Sequence, residues 1–162
     1  MAFGGGGRHA VHGGDEVGEH RHIALGLGHK MKLINNFIAM GYAALFAEGI
    51  AIARKAGLTI EQFHAVIGSG RMRSPFYDTF MRWSVEGDAN AHLFTIDNAA
   101  KDMRYLAAMA AEAGAVNPLQ AAVRNSFAAM QAAGEGQRYV PMLADFIAAV
   151  NGLAPAASER AG

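Results

Sequence analysis

The chain has 162 residues, 52% of them apolar, no cysteine, and fourteen basic residues against fourteen acidic ones. That is enough apolar material for one core, and one domain is the natural count. Zero formal charge removes the broad positive footprint of a phosphate-neutralising protein, so no nucleic-acid partner is expected, and the absence of cysteine excludes a disulfide framework and suits a cytoplasmic protein.

Residues 1–25 stand apart from the rest of the chain: they are rich in glycine, hold four of the seven histidines, and show no helical period. They read as a poorly ordered arm. His9, His12, His20 and His22 lack the rigid scaffold that metal geometry requires, so no metal site is expected. Gly5, Gly7 and Ala10 formally fit a dinucleotide-binding glycine pattern, but no strand leads into them to build a phosphate cradle. No apolar run of the secretory type occurs there either.

The chain is organised around the next stretch, Gly26 to Gly57, in which two glycines lead into one long apolar helix. From Leu33 to Ala53 the only formal charge is Glu48, and apolar residues are not confined to one stripe, so this helix is expected to be covered on nearly all sides. Asn35, Asn36 and Glu48 inside it, and its richness in Ala and Gly, argue against a membrane span. Arg54 and Lys55 complement the dipole of its last turn, and Gly57 supplies a left-handed C-cap.

Five shorter helices and a tail come after it. Thr59 and Gln62 form a capping box for a helix over 60–67. Ser74 and Pro75 start another, carrying Phe76, Phe80 and Trp83, after a basic loop that includes Arg71 and Arg73. A helix from about Thr95 to Ala113 has Ile96, Ala100, Met103, Ala107 and Ala110 as its buried stripe, with Lys101, Asp102 and Arg104 off it. Asn117 caps the next, with Pro118 at its first position and Leu119, Val123, Phe127 and Met130 facing inward, until the Gly-Glu-Gly at 134–136. The last helix spans 141–150, and 153–162 is a flexible tail. No window alternates as a strand does, so the class is all-α: a multi-helix domain over 26–152 wrapped around one long central helix.

Lys32 and Asn36 are four residues apart, which puts their side chains on one helix face within reach of a single ligand. Gly26 and Gly28 allow close backbone approach just before the helix, where free first-turn amides suit an anionic group. A lysine so placed can exchange a proton with a substrate oxygen that alternates between alcohol and carbonyl. It can equally be a lysine whose stem covers the mouth of an apolar helix.

The pattern GxGxxxKxxxN, here Gly26, Gly28, Lys32 and Asn36, followed by an Ala-rich helix with a KAGL exit, resembles the C-terminal domain of the β-hydroxyacid dehydrogenases. That family includes 3-hydroxyisobutyrate dehydrogenase and the glyoxylate, succinic semialdehyde and tartronate semialdehyde reductases. A second motif agrees: Phe94 and Lys101-Asp102 match the family's F(x)6KD helix, and Ala110, Gly114 and Pro118 match the AxxxGxxxP run after it. The resemblance extends from Gly26 to about Gly152. It implies Lys32 as the catalytic acid and base, Asn36 and Gly28 at the substrate, Lys101 and Phe94 at a nicotinamide cofactor, NAD or NADP, and Asp102 orienting its helix. It also implies hydride transfer to or from a small hydroxy acid, and a homo-oligomer, with no membrane partner. The family's cofactor domain, with its own glycine fingerprint, has no counterpart in these 162 residues, so the chain is expected to be a truncated or N-terminally scrambled copy, inactive by itself, with residues 1–25 either a poorly ordered arm or a remnant of that domain. Lys32 separates it from imine reductases, which share the fold and generally lack that lysine, and 6-phosphogluconate dehydrogenase has a longer helical domain. A non-catalytic helical module for oligomerisation or small-ligand binding is the alternative.

Overall fold

A computed structural model of the chain describes the backbone of residues 15–156 and the side chains of residues 26–156. Six α-helices appear in order among them: α1 (Asp15–Lys55), α2 (Ile60–Ser69), α3 (Pro75–Glu86), α4 (Ile96–Glu112), α5 (Pro118–Ala132) and α6 (Leu143–Val150), the last preceded by a 3-10 turn at Val140–Met142. An isolated antiparallel bridge between Thr95 and Tyr139 is the one piece of extended pairing among the described residues, so the class is all-α. The chain divides into two compact units, Met1–Lys32 and Leu33–Gly162. The N-terminal histidines and the Gly5–Ala10 pattern lie outside the described residues.

Local chemistry sets most of the helix ends. Thr59 and Gln62 make a full capping box, and the Ser74 and Thr95 hydroxyls accept from the backbone N–H three residues on. Gly57, Gly87 and Gly114 follow helix C-termini with positive φ, where other residues are strained. Asn117 makes no side-chain cap; Pro118 at the first position of α5, with its fixed φ and no N–H to satisfy, starts the helix without one.

The start of α1 differs from the expectation. Its backbone is helical from Asp15, so Gly26 and Gly28 lie within the helix, and their N–H groups join its own hydrogen-bond ladder. No free first-turn amides remain there for an anion. In the first unit, Gly26 to Lys32 are all exposed, and a Cβ at Gly26 or Gly28 would meet nothing within 4 Å.

In the second unit, α1 contributes Leu33, Met40, Ala43, Ala44, Phe46, Ala47, Ile50 and Ala51 to the core. The small residues of α1 let neighbours come close: a Cβ on Gly49 would stand 3.4 Å from the Phe63 ring. Tyr77 and Phe80 of α3, Ile96, Ala99 and Met103 of α4, and Val123, Phe127 and Met130 of α5 close the core around it. Ring contacts join the layers, Phe46 standing edge-on to Tyr77 with centroids 5.1 Å apart. Helix α1 is long and apolar enough to cross a membrane, yet its alanine-rich face is core. It is not covered on nearly all sides: Ile34, Ile38, Tyr42, Leu45 and Ile52 form an exposed stripe, one or two turns apart along a second face. Nothing among the described residues covers that face.

The residues after α6 correct another expectation. The start of the stretch expected to be a flexible tail is held in place: Ala156 is buried and its N–H donates to Asp145 Oδ1 at 3.0 Å, while Ala154 O accepts from Arg54 Nη2 at 2.8 Å. Asp145 is itself buried and also accepts from the Trp83 indole at 2.9 Å. A buried carboxylate needs such donors, and the tail backbone supplies one of them.

The segment 134–140 returns over the start of α4. Arg138 O and Gly136 O accept from the N–H groups of Ile96 and Asp97, and Phe94 O accepts from Val140 N–H. The Asp97 carboxylate receives the side-chain amides of Gln131 and Gln137 at 2.6 and 2.7 Å. Gly136 is required by this arrangement, because a Cβ there would sit 2.1 Å from Asp97 Oδ1. Gly136→Ala is therefore expected to destabilise the protein by about 1–3 kcal/mol through overpacking, whereas Gly28→Ala, with open space around it in a helix, should be neutral or stabilising by up to ~1 kcal/mol. Urea unfolding midpoints of the two variants check the contrast; equal effects would contradict it.

Candidate functional site

The residues singled out by the two sequence motifs fall on α1 and α4, and one hydrogen bond joins them. Asn36 Nδ2 donates to Asp102 Oδ2 at 2.7 Å, across 66 residues of sequence. Asp102 is buried, with 4% of its surface exposed, and Asn36 is half-buried. The sequence pattern puts Asp102 off the buried stripe of α4, and the structure turns it inward. The inward set of the helix is Ile96, Ala99, Ala100, Asp102, Met103 and Leu106. A lone buried carboxylate would cost several kcal/mol, and the Asn36 amide offsets that cost with a charge-assisted bond.

Lys101, the neighbour of Asp102, stays exposed on the outer face of α4, its ammonium donating to Asn98 Oδ1 at 3.1 Å one turn earlier. Phe94 lies just before the Thr95 cap, half-buried and packed against the core. Its carbonyl is held by Val140, so the approach to α4 is fixed by backbone as well as by packing. Lys32 and Gly28 belong to the first unit and are exposed. The structure thus brings Asn36 to Asp102, keeps Phe94 and Lys101 on the first two turns of α4 and its lead-in, and leaves Lys32 and Gly28 to be placed by sequence spacing alone.

Helix α5 supports α4 through a residue that the sequence pattern does not mark. Gln120 is buried and its amide donates to Met103 O at 2.8 Å, while Leu119, expected inside, is exposed. The Asp97 cluster with Gln131, Gln137 and Gly136 also goes unmarked; the signal available for it is the second glycine of Gly-Glu-Gly, which a helix terminus alone does not require. Arg73 of the basic loop before α3 pairs with Asp78 at 3.0 Å. A separate cavity of about 490 Å³ lies between α2 and α3, lined in part by His64, Arg73, Asp78 and Arg82. There His64 Nδ1 and the Tyr77 hydroxyl are 3.0 Å apart, and burial pushes the Tyr77 phenol up to about 12, so it stays protonated.

With this geometry in hand, comparison with known proteins assigns the class. The family profile described as "NAD-binding of NADP-dependent 3-hydroxyisobutyrate dehydrogenase" matches residues 26–147, and the chain belongs to that family of nicotinamide-dependent dehydrogenases. Among its relatives, L-threonate dehydrogenase of Escherichia coli K12 is 30% identical over 112 residues, covering 69% of this chain and 37% of that protein. Glyoxylate/succinic semialdehyde reductase 1 of Arabidopsis thaliana is also 30% identical, over 69% of this chain and 38% of its own length. The crystal structure of a 3-hydroxyisobutyrate dehydrogenase from Salmonella typhimurium shares the fold, with a TM-score of 0.65 at 24% identity over 72% of this chain and 40% of that one. The chain thus spans less than two-fifths of the relatives it matches in sequence.

One titratable group beside the lead-in to α4 gives a pH dependence. His92 stands edge-on to Phe76 with ring centroids 5.4 Å apart, its buried Nε2 has no hydrogen-bond partner among the described residues, and burial lowers its pKa below 6.5. The unfolded chain then binds that proton more tightly than the folded one, so stability present above about pH 6.5 is lost as the pH falls through the folded value. His92→Leu is expected to flatten the fall in unfolding midpoint between about pH 7 and about pH 5. An unchanged slope in the variant would assign the dependence to other groups.

Proposed function

We propose that this chain is the helical, substrate-binding and dimerising part of an NAD(P)-dependent dehydrogenase acting on a small 3-hydroxy acid or the corresponding semialdehyde. The observation that carries the reading is the Asn36–Asp102 hydrogen bond, which ties the first motif of the family to the second. In this reading Asn36 holds the substrate, and Gly28, whose N–H belongs to the helix ladder, contributes only the open space left by its missing side chain. The Lys32 ammonium donates its proton to the carbonyl oxygen during reduction, and the neutral amine takes the hydroxyl proton during oxidation. The nicotinamide, when bound, supplies or accepts the hydride.

The residues present fit one end of that cofactor. Lys101, exposed and steadied by Asn98, offers a cationic donor suited to a carboxamide or phosphate oxygen, and Phe94, half-buried in the lead-in to α4, offers an apolar side chain. The described residues contain no strand running through a glycine turn into a helix, the arrangement that cradles a dinucleotide pyrophosphate. These 162 residues by themselves are therefore expected to bind NAD or NADP weakly and to turn nothing over. A calorimetric titration giving sub-micromolar affinity for either nucleotide would contradict this. When the dinucleotide-binding domain of a relative is fused ahead of residue 26, oxidation of 3-hydroxyisobutyrate is expected to appear and to fall at least ~100-fold in kcat with Lys32→Ala. A fusion that folds and stays inert would favour the alternative, a non-catalytic helical module.

The exposed stripe of Ile34, Ile38, Tyr42, Leu45 and Ile52 supports a homodimer or larger assembly, since an apolar face of this length is rarely left in water. Light scattering should give a mass at least twice that of one chain, and Leu45→Lys should reduce it to one. A monomeric wild-type chain would remove the assembly from the proposal. The cytoplasm is the compartment that suits the cysteine-free composition, although one relative, glyoxylate/succinic semialdehyde reductase 2 of Arabidopsis thaliana, is named chloroplastic.

A further inference from the structure

The end of α6 and the segment after it close around Asn151 and Gly152, both exposed to water. An asparagine followed by glycine carries its own reaction, because no side chain on the second residue shields its backbone nitrogen. That nitrogen can attack the Asn151 Cγ. The N–Cγ bond forms, the Cγ–Nδ2 bond breaks and ammonia leaves; water then opens the succinimide ring to an aspartate or, through the other carbonyl, to a β-linked isoaspartate. Three features hold the reacting atoms apart here. Asn151 Nδ2 donates to Ile147 O at 2.9 Å, turning the side chain back along the helix, and Gly152 N–H donates to Ala149 O at 2.9 Å. The ψ of Asn151 is 6°, which turns the Gly152 nitrogen toward the N–H of Asn151, whereas a five-membered ring needs it on the Cβ side. Rotation about ψ carries every following residue with it. Those residues are tied down: Leu153 N–H donates to Ala148 O at 2.9 Å, Ala154 O accepts from Arg54 at 2.8 Å, and the N–H of buried Ala156 donates to Asp145 at 3.0 Å.

We infer that Asn151–Gly152 is a modification site held latent by the fold: Asn151 converts to aspartate and isoaspartate only when the 153–156 segment lifts away, and the product disfavours its closing again. The new carboxylate cannot donate to Ile147 O as the amide did. It also adds negative charge at the C-terminal end of α6, where the last carbonyls already carry partial negative charge. In the isoaspartate form the main chain runs through the side-chain methylene, and the added length shifts Ala154 and Ala156 out of register with Arg54 and Asp145. Buried Asp145 then loses one of its donors, so a change at the surface reaches a carboxylate in the core. None of this depends on dehydrogenase chemistry.

The full chain and a synthetic peptide of residues 148–155 are incubated side by side at neutral pH. Peptide-resolved mass spectrometry follows the amide-to-carboxylate mass gain at Asn151, and chromatography separates aspartate from isoaspartate. Conversion in the folded chain is expected to be at least ~10-fold slower than in the peptide, since several hydrogen bonds must open first. Ala156→Pro removes the N–H that donates to Asp145, and Arg54→Ala removes the donor to Ala154 O; each is expected to raise the rate severalfold. Amide hydrogen exchange at Leu153 reports release of the segment in the same samples. Folded wild type converting as fast as the peptide overturns the latency, and a peptide that does not convert at Asn151 overturns the site. An unchanged rate in a variant whose Leu153 exchange has quickened overturns the segment as the gate, and unchanged exchange in both variants overturns the tie itself. Protein aged to isoaspartate is expected to exchange Leu153 as fast as Ala156→Pro does; protection equal to that of fresh protein overturns the one-way release.

Discussion

The hydrogen bond between Asn36 and Asp102 is the constraint on which the arrangement of the second unit turns. A carboxylate taken out of water must be met by donors, and among the described residues Asn36 is the one on α1 that meets this one. The bond fixes how α4 is rotated about its own axis, because Asp102 has to face α1. That rotation sends Ile96, Ala99, Ala100 and Met103 into the core and leaves Lys101 and Arg104 outside. Translation along the axis is fixed separately. The return of the chain over 134–140 takes up the first N–H groups of α4, and Gln120 takes a carbonyl further along. Asn36 of the first motif and Asp102 of the second, far apart in sequence, are thereby held in one geometry, with the aromatic and methionine core filling the space behind them.

The second feature with functional weight is what this chain leaves bare. Helix α1 is amphipathic in an unusual sense, since one face buries alanines against the core and another exposes isoleucine, leucine and tyrosine. A sequence read for composition sees only a helix that is apolar all round and expects it to be enclosed. The structure shows which half of that enclosure the described residues provide. In the proposed assembly a second copy provides the other half.

Much of the fold is legible because it is written in short-range chemistry. Capping boxes, Ser-Pro starts and glycines after helix ends fix backbone conformations through atoms only a few residues away, and Thr59, Ser74, Gly57 and Gly114 all behave as their chemistry dictates. The departures involve buried polar groups. Polarity alone puts Asp102 and Gln120 outside and Leu119 inside, and the structure reverses all three. Each polar residue is inside because a partner from another helix or a distant backbone carbonyl is waiting for it, and no local pattern records that partner. The same holds for Gly136, whose reason is a carboxylate 39 positions earlier, and for Ala156, whose N–H completes the set around Asp145. The beginning of α1 departs for a different reason: glycine lowers helix propensity by about 1 kcal/mol without forbidding the helix. Of the candidate site, the spacing of Lys32 and Asn36 and the family resemblance are readable; the bond that orients Asn36 is not.

Whether Asn36 and Asp102 act as a coupled pair is tested most directly by a double-mutant cycle. Unfolding free energies of the wild type, Asn36→Leu, Asp102→Leu and the double variant give the coupling without reference to any ligand. A charge-assisted bond at this site predicts a coupling of about 1.5–3 kcal/mol, with the double variant less damaged than the sum of the singles. Additive effects, within the ~0.5 kcal/mol expected of independent sites, would contradict it.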